Sequence, residues 1–102
     1  MNNYKFYVII HITGEESITF KITEYIDIFG SINKEISKKN LSLNSIDRIV
    51  LSMGTPSITD NSTKYTYKNL LVGEFKAVTD LDIVKIIKNF TNQMLAEVIR
   101  YM

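Results

Sequence analysis

The chain has 102 residues, of which 45% are hydrophobic and 23% charged, and its formal net charge is +1 at pH 7. This length predicts one domain over residues 1–102, because two independent cores would each be too small, and the composition excludes a disordered chain. A near-neutral chain has no overall electrostatic field that would attract a polyanion such as nucleic acid. The absence of cysteine excludes disulfides, thiol nucleophiles and thiolate metal sites.

A β-hairpin is predicted at the start of the chain. Residues 4–12, YKFYVIIHI, have the aromatic and β-branched composition of a strand. The turn TGEES leads to a second alternating segment, ITFKI, at residues 18–22. The apolar run at residues 8–10 is too short for a signal peptide or a membrane span, so we expect a soluble cytoplasmic protein with no membrane partner. Alternation places Tyr4, Phe6, Val8, Ile10 and Ile12 on one face of the first strand and Lys5, Tyr7, Ile9 and His11 on the other.

The first helix is predicted over residues 24–39. Its apolar residues recur at three- and four-residue spacing, which is the pattern of a helix packed on one side. Gly30 weakens the prediction because glycine costs about 1 kcal/mol relative to alanine in a helix interior. A later start, capped by Ser31, is the alternative. The apolar stripe consists of Tyr25, Ile28, Phe29, Ile32 and Ile36.

The second half of the chain repeats the order of strand, strand and helix. Residues 47–53 predict a strand whose apolar run at 49–51 indicates burial on both faces. Residues 54–63, with the only proline, predict a loop, and residues 64–78 predict a long strand bent near Asn69 or Gly73. The last helix is predicted to begin with a capping box, Thr79 with Asp82, and to run to Met102.

These elements predict an α+β fold in the order ββαββα, with a four-stranded, largely antiparallel sheet and two helices packed on one face. The segment FKAVTDLDI at residues 75–83 resembles FKITEYIDI at residues 20–28, at the same strand-to-helix junction. An internal ββα repeat, with units at residues 4–40 and 47–102, is one hypothesis for this similarity, and chance is the alternative.

The last helix has more apolar surface than one sheet can cover. Its apolar residues span an arc of about 220° at about 100° per residue, whereas packing on a sheet needs an arc of about 100° or somewhat more. The first helix, a second copy of the chain or a different partner could cover the remainder. The hypothesis of a homodimer pairs this helix with its copy in antiparallel orientation. The residues predicted to form this dimer contact are Val84, Leu95, Ile99 and Met102.

No catalytic, metal or cofactor site is predicted. His11 is the only histidine, and the carboxylates have no motif spacing. The segment SMGTPS at residues 52–57 lacks the lysine and the glycine spacing of phosphate-binding loops. A small metal-independent enzyme centred on His11 is kept as the third hypothesis.

The segment KYTYK at residues 64–68 is the predicted contact for a partner. On a strand, Tyr65 and Tyr67 point to one face, while Lys64 and Lys68 point to the other. Tyrosine is enriched in protein interfaces. Sheet tyrosines near lysines can also stack on single-stranded bases, but alternation separates the two residue types here, so nucleic acid is the alternative partner and not the favoured one.

The residue bias of the chain concerns its origin, and the absence of a catalytic signature favours a binding protein without catalytic activity. Isoleucine occurs 16 times and asparagine 9 times, and lysine outnumbers arginine by 10 to 2. With the small size, this bias resembles that of accessory proteins of phages and mobile elements, many of which bind and block a host protein, as anti-CRISPR and other anti-defence inhibitors do. The leading hypothesis is therefore a protein-binding inhibitor that forms a homodimer and binds a protein partner of unknown identity.

Overall fold

The computed structural model describes residues 3–23, 27–59, 62–76 and 82–101. All four strands belong to one antiparallel sheet in the order β2-β1-β3-β4. Two helices pack on one face of this sheet, so the predicted α+β fold and the order ββαββα are confirmed. The elements are β1 (Lys5–Ile12), β2 (Ile18–Lys21), α1 (Ile28–Lys38), a 3₁₀ turn (Leu43–Ser45), β3 (Ile46–Thr59), β4 (Ser62–Glu74) and α2 (Ile83–Arg100).

The sheet has the arrangement that two ββα units would produce. The first strands of the two units, β1 and β3, are paired at the centre of the sheet, and the second strands, β2 and β4, form its edges. Phe20 and Phe75, which correspond in the two similar segments, both pack against the hydrophobic core. This arrangement agrees with an internal repeat, which stays a prediction.

The core lies between the helices and one face of the sheet. Alternate residues of β1 are buried, as the sequence pattern predicts, and the residues between them are only half-buried. Burial of one large aliphatic side chain stabilises the fold by about 1.5–3 kcal/mol relative to leaving it exposed. The helical side of the core consists of Ile28, Ile32 and Ile36 from α1 and Ile83, Ile87, Phe90, Met94 and Val98 from α2.

The first helix begins at neither predicted position. Asp27 is its N-cap residue, and the Asp27 Oδ1 atom accepts a hydrogen bond of 3.1 Å from the amide of Gly30. A Cβ atom at Gly30 would lie 2.6 Å from Asp27 Oδ2, so the glycine leaves room for the capping carboxylate. The start at residue 24 and the cap at Ser31 are therefore wrong. Residues 24–26, including Tyr25, lie outside the described residues.

The predicted loop at residues 54–63 is wrong, because β3 continues to Thr59 and β4 begins at Ser62. Pro56 lies within β3, opposite Tyr65 of β4. The pairing of β3 with β1 ends at Gly54, so β3 has only one neighbouring strand at Pro56. A strand tolerates proline where no second strand needs its missing N–H group.

The ends of β3 and β4 form a two-stranded arm beyond the rest of the sheet, over residues 55–59 and 62–66. This arm contributes to the elongated shape of the molecule, which measures 50 × 26 × 22 Å. Near the base of the arm, Leu51 pairs with Leu71 but Ser52 pairs with Asn69, which leaves Leu70 as an extra residue. The predicted irregularity near Asn69 is therefore confirmed.

The last helix is shorter than predicted. It begins after Asp82, which occupies the N-cap position rather than the third helical position of a capping box. Thr79 and Met102, the predicted ends of the helix, lie outside the described residues. Neither described helix is long and apolar enough to cross a membrane.

Candidate functional site

One flank of α2 stays exposed after the chain has folded. Val84 and Leu95 are each 44% exposed and Ile99 is 58% exposed. These three residues, which we call the α2 strip, extend over about 22 Å at 1.5 Å per residue. Met102, predicted to belong to the same surface, lies outside the described residues.

The first helix borders the α2 strip without covering it. Lys88 of α2 places its ammonium 5.2 Å from the centroid of the Phe29 ring on α1. A shallow cavity of about 90 Å³ lies between the helices, and Leu95 forms part of its wall together with Thr91 and Phe29. The alternative in which α1 covers this flank is wrong, because all three strip residues keep more than two-fifths of their surface exposed.

The second candidate surface is the face of the sheet opposite the helices, which we call the open face. Cross-strand pairing identifies its members, because directly paired residues share a face. Tyr7 pairs with Lys21 on one side and with Ser52 on the other. Tyr67 pairs with Gly54, and Tyr65 pairs with Pro56.

The structure separates the four predicted contact residues into two groups. Tyr65 and Tyr67 lie on the open face. Lys68 pairs with Met53, a core residue, and therefore lies on the opposite face, as does Lys64, which is four register pairs further along β4. The strand KYTYK thus presents its tyrosines and its lysines to different surroundings, as the alternation predicts.

The tyrosines of the open face form a continuous row. The ring centroids of Tyr65 and Tyr67 are 6.3 Å apart, and those of Tyr67 and Tyr7 are 5.9 Å apart. Tyr67 lies against Gly54, where a Cβ atom would be 2.6 Å from Tyr67 Cε1. The missing side chain of Gly54 lets the ring approach the sheet, and Tyr67 still keeps 49% of its surface exposed.

A lysine from another strand joins this row. The Lys5 Nζ atom lies 4.1 Å from the centroid of the Tyr65 ring, which is cation–π geometry. Alternation within β4 separates its own lysines from its tyrosines, but β1 supplies a cation to the same face. The sequence pattern alone does not indicate Lys5 as a neighbour of Tyr65, because only the cross-strand register brings the two together.

A patch of apolar residues continues the row along the open face. Val50 is only 4% exposed although it points away from the helices, and it pairs with Ile9 on one side and Val72 on the other. The prediction that β3 is buried on both faces is therefore confirmed for residues 49–51.

His11 lies at the far end of the open face and is half-buried. Its Nδ1 atom is 3.0 Å from the hydroxyl of Ser17, and it pairs across the sheet with Arg48. A catalytic base is usually oriented by a third group such as a carboxylate, whereas the described partner of this ring is a hydroxyl. The catalytic hypothesis for His11 gains no support from this geometry.

Charged residues of both signs meet beside His11. Asp47, Arg48, Glu74 and Lys76 line a cavity of about 210 Å³. Lys76 Nζ lies 3.6 Å from Asp47 Oδ1, and Arg48 pairs with Glu74 across the strands. Two cations and two carboxylates balance one another here, and the described residues contain no group of three or more potential metal ligands.

Comparisons of the chain with protein-family models, with curated proteins and with solved structures gave no significant match.

Proposed function

We propose that this chain is a non-catalytic binding protein that acts through protein–protein contacts and associates with a second copy of itself through the α2 strip. The observation that carries the proposal is the exposure of Val84, Leu95 and Ile99 on a flank of α2 that adjoins its buried side. Apolar side chains that stay exposed along one flank of a helix are a candidate interaction surface.

The spacing of the strip favours an antiparallel pair of α2 helices. Two-fold symmetry is the commonest symmetry of homo-oligomers. In an antiparallel pair, a residue on one side of the axis faces the residue that lies equally far on the other side of the axis in the second copy. An axis between positions 91 and 92 places Val84 opposite Ile99 of the second copy. The same axis places Leu95 opposite Lys88, whose aliphatic stem offers apolar surface while its ammonium stays over Phe29.

Sedimentation at micromolar concentrations tests the self-association. The dimer should sediment at twice the chain mass of 11.8 kDa. The double variant Leu95→Glu and Ile99→Glu should sediment at 11.8 kDa with an unchanged circular dichroism spectrum. The two introduced carboxylates stay in water in the monomer, whereas formation of the dimer would bury them without a partner.

The matched control is Ile58→Glu, which changes an equally apolar residue that is 79% exposed on the arm. This control should keep the mass of the parent protein. A parent chain that sediments at 11.8 kDa throughout, or a double variant that keeps the parent mass, would contradict the proposal.

The proposal extends to inhibition of a host protein in the cytoplasm. Its support is the compositional bias toward isoleucine, lysine and asparagine, the small size and the absence of cysteine. Affinity capture from the native host tests this extension, with the double variant as the second bait. Recovery of one protein in stoichiometric amount, and loss of that protein's activity on addition of the chain, is the expected result.

A further inference from the structure

We infer that the open face binds single-stranded nucleic acid, with an unpaired base stacked on Tyr67 and the phosphate backbone near Lys5 and Lys21. This inference is independent of the proposed self-association, because the open face and the helices lie on opposite sides of the sheet. The sequence analysis assigned Tyr65 and Tyr67 to a protein partner, whereas this inference assigns the same two residues to nucleic acid.

The shape of the open face suits a planar ring. A shallow, open depression of about 300 Å³ lies on this face and is lined by Tyr7, Tyr67, Ile9, Thr19 and Ser52. This volume is at the lower end of the range for small-molecule sites, about 300–1,000 Å³. An unpaired base can enter it and stack on an aromatic face, whereas bases within a duplex are already stacked on each other.

The tyrosine row gives each ring a separate role. One side of the Tyr67 ring rests against Gly54, and the ring keeps about half of its surface exposed. Tyr65 has the Lys5 ammonium over its ring at 4.1 Å, so Tyr65 positions the cation beside the stacking surface. Tyr7 contacts the Tyr67 ring edge to face and lines the same depression.

The charges of the open face complement a polyanion. Lys5 and Lys21 point to this face beside the tyrosine row, whereas Arg48 lies at its far end in the balanced cluster with Glu74. Lys21 pairs directly with Tyr7, so a lysine stands on each side of the tyrosine row. The face is therefore more positive than the chain as a whole, whose net charge is +1.

Fluorescence anisotropy with labelled oligo(dT) at low salt tests the inference. The parent protein should bind the single strand and should bind a duplex of the same length more weakly. Tyr67→Ala should weaken binding about 5- to 150-fold, which corresponds to the loss of one stacked base. Tyr67→Phe keeps the aromatic ring and should bind within about twofold of the parent protein.

Lysine variants on the two faces supply the matched comparison. Lys5→Gln should lower affinity and reduce the slope of log K against log salt by about 0.7, the value for one phosphate contact with a single strand. Lys68→Gln, on the opposite face, should leave affinity and slope at the parent values. The same samples should keep the parent mass in sedimentation, so this test and that of the proposed function can fail separately.

Four results would overturn the inference. They are no binding of oligo(dT) at low salt, duplex binding as tight as single-strand binding, equal losses for Lys68→Gln and Lys5→Gln, and unchanged affinity for Tyr67→Ala. Capture of a protein that Tyr67→Ala no longer retains, together with no oligonucleotide binding, would assign the open face to a protein partner instead.

Discussion

Gly73 of β4 lies directly beneath the ring of Phe90 on α2. A Cβ atom at Gly73 would be 2.8 Å from Phe90 Cε1 and 2.9 Å from Phe75 Cζ. The rings of Phe75 and Phe90 meet edge to face at 5.6 Å, and both are buried. Glycine at position 73 therefore sets how closely α2 approaches the sheet.

Gly73→Ala should lower the free energy of unfolding by about 1–3 kcal/mol, because an added methyl group overpacks a buried aromatic pair. Gly54→Ala is the control, since its Cβ atom would also meet an aromatic ring, at 2.6 Å from Tyr67 Cε1. Tyr67 is half-exposed and can move toward solvent, so this variant should stay within about 0.5 kcal/mol of the parent. Urea unfolding of both variants measures the difference, and equal losses would contradict the packing argument.

Removal of the cap of α1 should also destabilise the chain. Asp27→Ala deletes the acceptor for the Gly30 amide and should cost about 0.5–2 kcal/mol. Asp27→Asn retains a side-chain oxygen at the same position and should unfold near the parent midpoint. If alanine and asparagine give the same unfolding midpoint, the hydrogen bond to Gly30 does not stabilise the helix.

Two neighbouring isoleucines of α2 should respond differently to truncation. Ile87 is completely buried, and Ile87→Ala should cost about 2–5 kcal/mol through lost burial and a residual cavity. Ile86 is 37% exposed and lies outside the α2 strip, so Ile86→Ala should cost less than about 1 kcal/mol. Thermal and urea unfolding test this pair, and a larger loss for Ile86 would show that the helix is rotated from its described orientation.

The contact between Lys5 and Tyr65 should contribute a small coupling energy. A double-mutant cycle with Lys5→Gln and Tyr65→Leu should give about 0.5–1 kcal/mol, the range for exposed cation–π pairs. A second cycle with Lys68→Gln in place of Lys5→Gln should give no coupling within error, because Lys68 lies on the other face of the sheet. A coupling energy of zero in the first cycle would place the Lys5 ammonium away from the ring in solution.

Local patterns accounted for the type and order of the elements. The alternation of β1 predicted which of its residues are buried, and the helical spacing of Ile28, Ile32 and Ile36 predicted the packed side of α1. Both patterns arise from the geometry of the backbone over a few residues, so a single sequence carries them. The same local alternation predicts that Tyr65 and Tyr67 share a face, which the strand register confirms.

The errors arose where the surroundings of a residue in the folded chain change the usual rule for its type. Pro56 was assigned to a loop because proline cannot donate a hydrogen bond, yet it lies within β3 where β1 has already ended. Gly30 was treated as a weakness of α1, yet it leaves space for the capping carboxylate of Asp27. Neither residue type reveals these surroundings by itself.

The sequence by itself determined the element order ββαββα and a last helix richer in apolar residues than one sheet can cover, since side-chain polarity and backbone periodicity are local properties. Only the tertiary structure decided that α1 leaves the α2 strip exposed and that Lys5 reaches the ring of Tyr65. Those relationships depend on strand register and helix position, which are set by packing between segments far apart in the chain.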